Sequence, residues 1–187
     1  MRGLVLMLII VCSMVTKAQT DTLFNENYIV VYSREYLIPV EVSWTLYATN
    51  LKGAAKRYNI DFKSDKRVKK PRATSADYKR TGFQRGHMCP SADWVCSQTK
   101  MENTFLMTNI APQSPSLNMG AWKQDEYYTR YLAMKYDSIK IECGVIFYTK
   151  SHRTIGKKRI AVPDAYWKRI RLLNRDSILF TRTYENK

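Results

Sequence analysis

Histidine is scarce in this sequence: only His87 and His152 occur among 187 residues, so histidine chemistry has two candidate positions. Acidic residues are few as well. Against 31 Lys and Arg stand 16 Asp and Glu, a formal net charge of +15. That imbalance favours polyanionic partners, whether nucleic acid, anionic polysaccharide or anionic lipid. No Cys-x-x-Cys pair is present, so zinc held by His87, Cys89, Cys96 and Cys143 or His152 lacks the tight spacing such sites use. Internal repeats, Pro- or Gly-rich linkers and low-complexity tracts are absent, which argues against a solenoid or an array of linked modules. Past residue 18 no stretch is apolar enough to cross a membrane, so no stable membrane partner is expected.

The first eighteen residues stand apart from the rest. Arg2 is followed by an apolar run over 4–12 (LVLMLIIVC), and Thr16-Lys17-Ala18 places small residues before Gln19. This is the layout of a secretory signal peptide, and the run is short for a bilayer span. Residues 1–18 are therefore expected to be a cleaved signal, and 19–187 one exported domain, periplasmic or extracellular. Losing Arg2 and Lys17 but no acid takes the charge from +15 to +13. Cys89, Cys96 and Cys143 would remain. Export permits a disulfide, but spacing does not say which two would pair. With 45% apolar and 25% charged residues the chain suits a folded domain.

Residues 28–32 (YIVVY) and 38–46 (IPVEVSWTL) read as strands. In the second, Val42, Trp44 and Leu46 alternate with Glu41, Ser43 and Thr45, the period of a half-buried antiparallel strand. Ser33-Arg34-Glu35 between them predicts a hairpin. Residues 52–80 are basic and irregular, with aromatics interleaved as on surfaces that track a nucleic-acid backbone. A strand is predicted over 103–110, and a loop over 111–116, where Pro112 and Pro115 interrupt any ladder. A helix is predicted from about 117–120 to Tyr136, with Ala121, Tyr128, Tyr131 and Leu132 as its apolar spacing. Trp122, Tyr127 and Tyr128 are expected in the core. Further strands are predicted over 139–148 and 177–183. Without a βαβ rhythm, the pattern predicts an α+β fold with a mostly antiparallel sheet.

Chemistry concentrates in two segments. In 83–90 (FQRGHMCP), Gly86 lies between Arg85 and His87 and lets the backbone approach a ligand closely. In 117–126 (LNMGAWKQDE), Asn118, Trp122 and Glu126 recur every four residues and share one helix face. An amide oxygen and a carboxylate two turns on suit a hard cation that keeps its waters, such as Mg2+. His152 follows a strand and reads as a surface or loop residue.

These motifs, RGHMCPSAD at 85–93, TNIAPQ at 108–113 and LNMGAW at 117–122 with Glu126, resemble those of the DNA/RNA non-specific endonucleases, the ββα-metal nucleases. The resemblance extends from the hairpin near Tyr28 to 163–168 (PDAYWK). It implies His87 as general base, Asn118 as metal ligand, Arg85 beside the phosphate, Glu126 as the helix glutamate and Asn109 as a further active-site asparagine. An upstream arginine near the phosphate would be Arg57 or Arg67. It also implies Mg2+ as cofactor, with Mn2+ as a substitute, DNA and RNA as substrates, and 5′-phosphate products. One departure stands out: Gln84 occupies the place of an aspartate just before Arg85, among the residues expected to meet substrate. A neutral residue there leaves a rival reading, a nucleic-acid-binding protein of the same fold with weakened catalysis. Relatives often continue beyond this length, so the last strand or helix is expected to be missing or shortened. The sequence leaves a homodimer open.

Overall fold

The computed structural model describes residues 19–173 and 177–187; the expected signal segment lies outside them. Six strands form one antiparallel sheet: β1 (Thr20–Phe24), β2 (Ile29–Ser33), β3 (Ile38–Tyr47), β6 (Ser138–Ile146), β9 (Ala165–Leu172) and β10 (Ile178–Glu185), in that spatial order. Two short ribbons, β4 (Gln84–His87) with β5 (Ile110–Gln113) and β7 (Thr154–Ile155) with β8 (Ile160–Ala161), lie outside it. The helices are α1 (Gln98–Asn103) and α2 (Trp122–Tyr136). This is the α+β, mostly antiparallel fold that the sequence predicts.

Alternation builds the sheet. Val42, Trp44 and Leu46 of β3 face inward and are buried, while Ser43 and Thr45 are half-exposed. Register carries that face across the sheet: Trp44 pairs with Ile141, and Ile141 with Ile170. The predicted hairpin forms, but its turn extends to Leu37, which takes a φ of 58° and donates its N–H to the Ser33 carbonyl.

Two expectations fail between 103 and 116. The stretch 103–110 is not a strand: α1 ends at Asn103, and Met107–Asn109 form a 3-10 turn. Its apolar residues Phe105, Met107 and Ile110 are buried without an extended backbone throughout. The stretch 111–116 is not all loop, since β5 runs through Pro112. The Pro112 carbonyl accepts bonds from Tyr166 Oη at 2.7 Å and Asn186 Nδ2 at 3.0 Å, so its backbone polar groups face away from β4. A ring there removes no ladder bond.

Helix α2 lies where expected but is rotated. Its buried residues are Trp122, Asp125, Thr129, Leu132 and Ala133. Of the predicted apolar set only Leu132 is buried, and Tyr127, Tyr128 and Tyr131 are 58%, 40% and 57% exposed. The expectation that Tyr127 and Tyr128 belong to the core is therefore corrected. A buried ion cluster sets the rotation. Lys168 of β9, 1% exposed, reaches the Asp125 carboxylate at 3.1 Å, and Arg182 of β10 meets its other oxygen at 3.1 Å. Lys168 pairs with Arg182 in the sheet, so both cations arrive beneath the helix together. Among the described residues no helix is long and apolar enough to cross a membrane. Cys89 and Cys143 are buried free thiols, and Cys96 is an exposed one.

Candidate active site

The β4–β5 ribbon and the start of α2 bring the two motif segments together. Gly86 makes room in that ribbon: a Cβ there would lie 2.2 Å from the Oε1 of the buried Gln113, which would have to move. His87 ends β4 only 8% exposed, its ring edge-on to Phe105 at 4.8 Å and tilted against Phe62 at 5.4 Å. Its carbonyl accepts a bond from Trp122 Nε1 at 3.1 Å, which ties the histidine strand to the first residue of α2. No protein group bonds its Nε2 among the described residues. Burial, and secondarily the charge of Arg57, push the imidazole down to about 3, so it is neutral at pH 7.

Asn118 lies on a π-helical turn, Leu117–Ala121, which a non-helical Gly120 (φ −102°, ψ −112°) separates from regular α2. That kink breaks the simple i, i+4 face drawn from sequence: Trp122 turns into the core, fully buried, while Asn118 and Glu126 line a cleft. The Asn118 Nδ2 donates to Gln84 Oε1 at 2.6 Å. With its amide nitrogen engaged, Asn118 has its Oδ1 lone pairs to offer as an acceptor or ligand. The cleft, about 310 Å³, is lined by Arg57, Arg85, His87, Asn118, Lys123, Glu126, Tyr127 and Arg130, with 90–92 and Met119 completing the wall. Burial pushes the Glu126 carboxyl up to about 7, against the opposing pull of Lys168. A larger hollow, about 560 Å³, lies elsewhere among Phe24, Trp44, Trp94 and Lys140 and holds none of the sequence-predicted site residues.

The cations are held in place. Arg85 donates to the Ser75 carbonyl at 2.7 Å and lies over the rings of Phe62 and Tyr78, with its Nε buried and unpartnered. Arg57 is exposed, its guanidinium 5.5 Å from the Phe105 ring. Arg130 bonds Asp93 at 3.2 Å; the same buried carboxylate accepts from Trp44 Nε1 at 3.0 Å.

Three predicted residues sit differently from expectation. Arg67 does not line the cleft: Asp65, two residues away, captures it at 2.6 Å, and it also bonds the Phe24 carbonyl and Asn25. Of the two arginine candidates only Arg57 reaches the cleft. Asn109 is fully buried, accepts from the Cys89 N–H, and donates to the Cys89 and Thr104 carbonyls, so it braces the loop behind His87. Gln84 is not a lining residue; it holds Asn118. Sequence reading missed Lys123, Tyr127 and Arg130. The four-residue series from Asn118 through Glu126 continues to Arg130, a signal that was present. His152 is half-buried beside Tyr36 and Phe147, on no wall of the cleft.

Residues 10–186 match the family model described as DNA/RNA non-specific endonuclease. This chain belongs to that family. Among its relatives in the family is human "Endonuclease G, mitochondrial", 33% identical over 170 residues that cover 86% of this chain and 57% of that protein. Nuclease C1 of Cunninghamella echinulata var. echinulata is 32% identical over 164 residues, covering 79% of this chain and 64% of its own. The crystal structure of the EndoG/EndoGI complex superposes with a TM-score of 0.82 at 25% identity, over 89% of this chain and 74% of that one. The chain spans about half the length of the first curated relatives it matches. The fold is accordingly that of a ββα-metal nuclease.

Proposed function

We propose that this chain hydrolyses phosphodiester bonds of DNA and RNA without reading sequence, with His87 as general base, and leaves 5′-phosphate ends. One observation carries the reading: a neutral, buried imidazole opens onto the same cleft as Asn118, Glu126 and three guanidinium groups. The charge of +15 supports the substrate class, since cationic contacts to a phosphate backbone are sequence-independent.

The donor set fits a divalent cation of the Mg2+ type, with Mn2+ as a substitute. Asn118 offers an amide oxygen and Glu126 a carboxylate, both hard oxygen donors. A cation of this kind keeps most of its own waters. Asn118 would be its direct ligand and Glu126 would orient the waters around it. When bound, such an ion supplies positive charge against the oxygens that become anionic in the transition state.

The chain's own groups do the rest. Arg57 and Arg85 draw the phosphate into the cleft and pair with its oxygens. Burial is the main cause that holds His87 neutral, and the arriving anion offsets only the smaller one, the charge of Arg57. The imidazole then takes a proton from the water that attacks phosphorus. As the bond from water to phosphorus forms, the P–O3′ bond breaks; the 3′-oxygen takes a proton from solvent water to become a hydroxyl, and the phosphate stays on the 5′ end of the other fragment. Asn109 and the Trp122 bond keep the histidine strand in register with α2 throughout.

The Gln84–Asn118 bond makes the neutral Gln84 a brace, and this argues against the weakened-binder reading. Gln84→Ala is expected to raise the Mg2+ concentration for half-maximal plasmid nicking by about 10-fold, and Asn118→Ala by more, as loss of supports around a metal ligand typically does. Unchanged magnesium dependence in Asn118→Ala would remove that residue from the ion site. Export remains part of the proposal on the strength of residues 1–18; fractionation of the producing cells should recover the protein, starting at Gln19, outside the cytoplasm.

A further inference from the structure

Helix α2 leaves the cleft carrying more than the proposed chemistry uses. Tyr127 lines the cleft and is 58% exposed; one turn on, Tyr131 is 57% exposed. Exposed tyrosines on a helix that has a buried face of its own need another explanation than packing. Their surroundings are cationic. The Arg130 guanidinium lies 4.9 Å from the Tyr127 ring centre, and Lys123 Nζ 6.0 Å from it. Tyr131 stacks on Tyr128 at 6.2 Å and 21° between planes, and Arg182 lies 5.3 Å over Tyr128. Tyr127 and Tyr131 are thus held by neighbours and still more than half exposed.

Lys123, Tyr127 and Tyr131 recur every four residues and form a stripe about 12 Å long at 1.5 Å per residue. It begins in the wall of the cleft and is continuous with it. Aromatic rings alternating with cations along a groove are the chemistry that holds single strands, whose bases stack on the rings while the cations follow the phosphates. A duplex keeps its bases stacked on each other and offers these rings only backbone.

We infer that the Lys123–Tyr127–Tyr131 face of α2 is a binding track for single-stranded nucleic acid, on which bases next to the cleaved bond stack, so that single strands are held in preference to duplex. The inference rests on the nuclease reading for the cleaved bond that the stacked bases adjoin; binding and cleavage are separable. Binding of a fluorescein-labelled 20-nucleotide oligothymidylate, and of a duplex of equal length, should be measured by anisotropy in EDTA. The proteins compared are the wild type, Tyr127→Ala/Tyr131→Ala and Tyr127→Phe/Tyr131→Phe. The alanine pair is expected to weaken single-strand binding by about 10- to 100-fold, given what base stacking on an aromatic contributes. The phenylalanine pair should stay within about 3-fold of the wild type, and duplex binding should change by less than about 3-fold in both. Alanine variants that bind the single strand like the wild type, or that lose single strand and duplex equally, overturn the track. Tyrosine-dependent binding without any cleavage in Mg2+ would uphold the track and sink the nuclease reading; cleavage with tyrosine-independent binding would do the reverse.

Discussion

Replacing His87 by asparagine is expected to lower kcat/KM for plasmid cleavage by about 10²- to 10⁴-fold, the range over which a positioned base acts. Asparagine keeps a polar side chain between Phe62 and Phe105 but cannot take the proton. The same variant carries a pH signature in the metal-free protein. Folding lowers the His87 pKa from 6.5 to about 3, so between these values the unfolded chain binds one proton more than the folded one. Stability gained from this residue therefore rises with pH across the window, by about 1.4 kcal/mol per unit, and is lost as pH falls through it. Glu126 acts in the opposite sense. Its pKa is raised from 4.5 to about 7, so the folded state holds the extra proton and stability falls as pH rises between those values. The two oppose each other between about pH 4.5 and 6.5. Urea unfolding in EDTA should show His87→Asn gaining on the wild type as pH drops from 6.5 to 5. A stability difference that does not change with pH would mean that His87 titrates as an ordinary exposed histidine.

Lys168 is predicted to matter more for the fold than any other single cation. Its ammonium lies 4.0 Å from the centre of the Trp122 ring and 3.1 Å from the Asp125 carboxylate, with both charged side chains almost wholly buried. Removing one member of a buried pair leaves its partner's charge uncompensated, at a cost of about 3–5 kcal/mol. Lys168→Met should therefore lower stability by about 3 kcal/mol, the low end, because Arg182 still meets Asp125. Lys168→Met with Asp125→Leu should recover much of that loss, since no unpaired acid is left behind. Activity carries a second readout. Lys168 opposes the burial that raises Glu126, so its removal should move the acid limb of the pH–rate profile upward. A single variant as stable as the wild type, with the limb unmoved, would show that the cluster sets neither the helix nor Glu126.

Much of the site could be read before any fold was known, because its chemistry is concentrated in two short segments. Arg85 and His87 share a four-residue strand, and Asn118 and Glu126 stand eight residues apart across the Gly120 kink, so each pair shows as a short motif whose roles the family resemblance supplies. What distance in sequence hid was how partners divide. Arg57 and Arg67 look alike in a basic irregular stretch; Asp65 decides between them by capturing the nearer one. Phe62 and Phe105, which wall in His87 and help to strip it of water, come from segments with no motif at all. Apolar spacing does not give the rotation of α2, because its tyrosines face solvent. The buried stripe runs through Asp125 and Thr129 instead, and Asp125 is tolerable there only because β9 and β10 deliver cations beneath it. The strand alternation of β3 needed no such context, and it was legible.

The most direct measurement is digestion of supercoiled plasmid and of a mixed-sequence RNA by the purified protein, with Mg2+, with Mg2+ plus EDTA, and with the His87→Asn variant. The account predicts that the wild type fragments both polymers in Mg2+, leaving ends that a 5′-phosphate-dependent ligase accepts, and that EDTA or the substitution stops it. DNA and RNA left intact in every metal condition, or cut equally well by the variant, would contradict it.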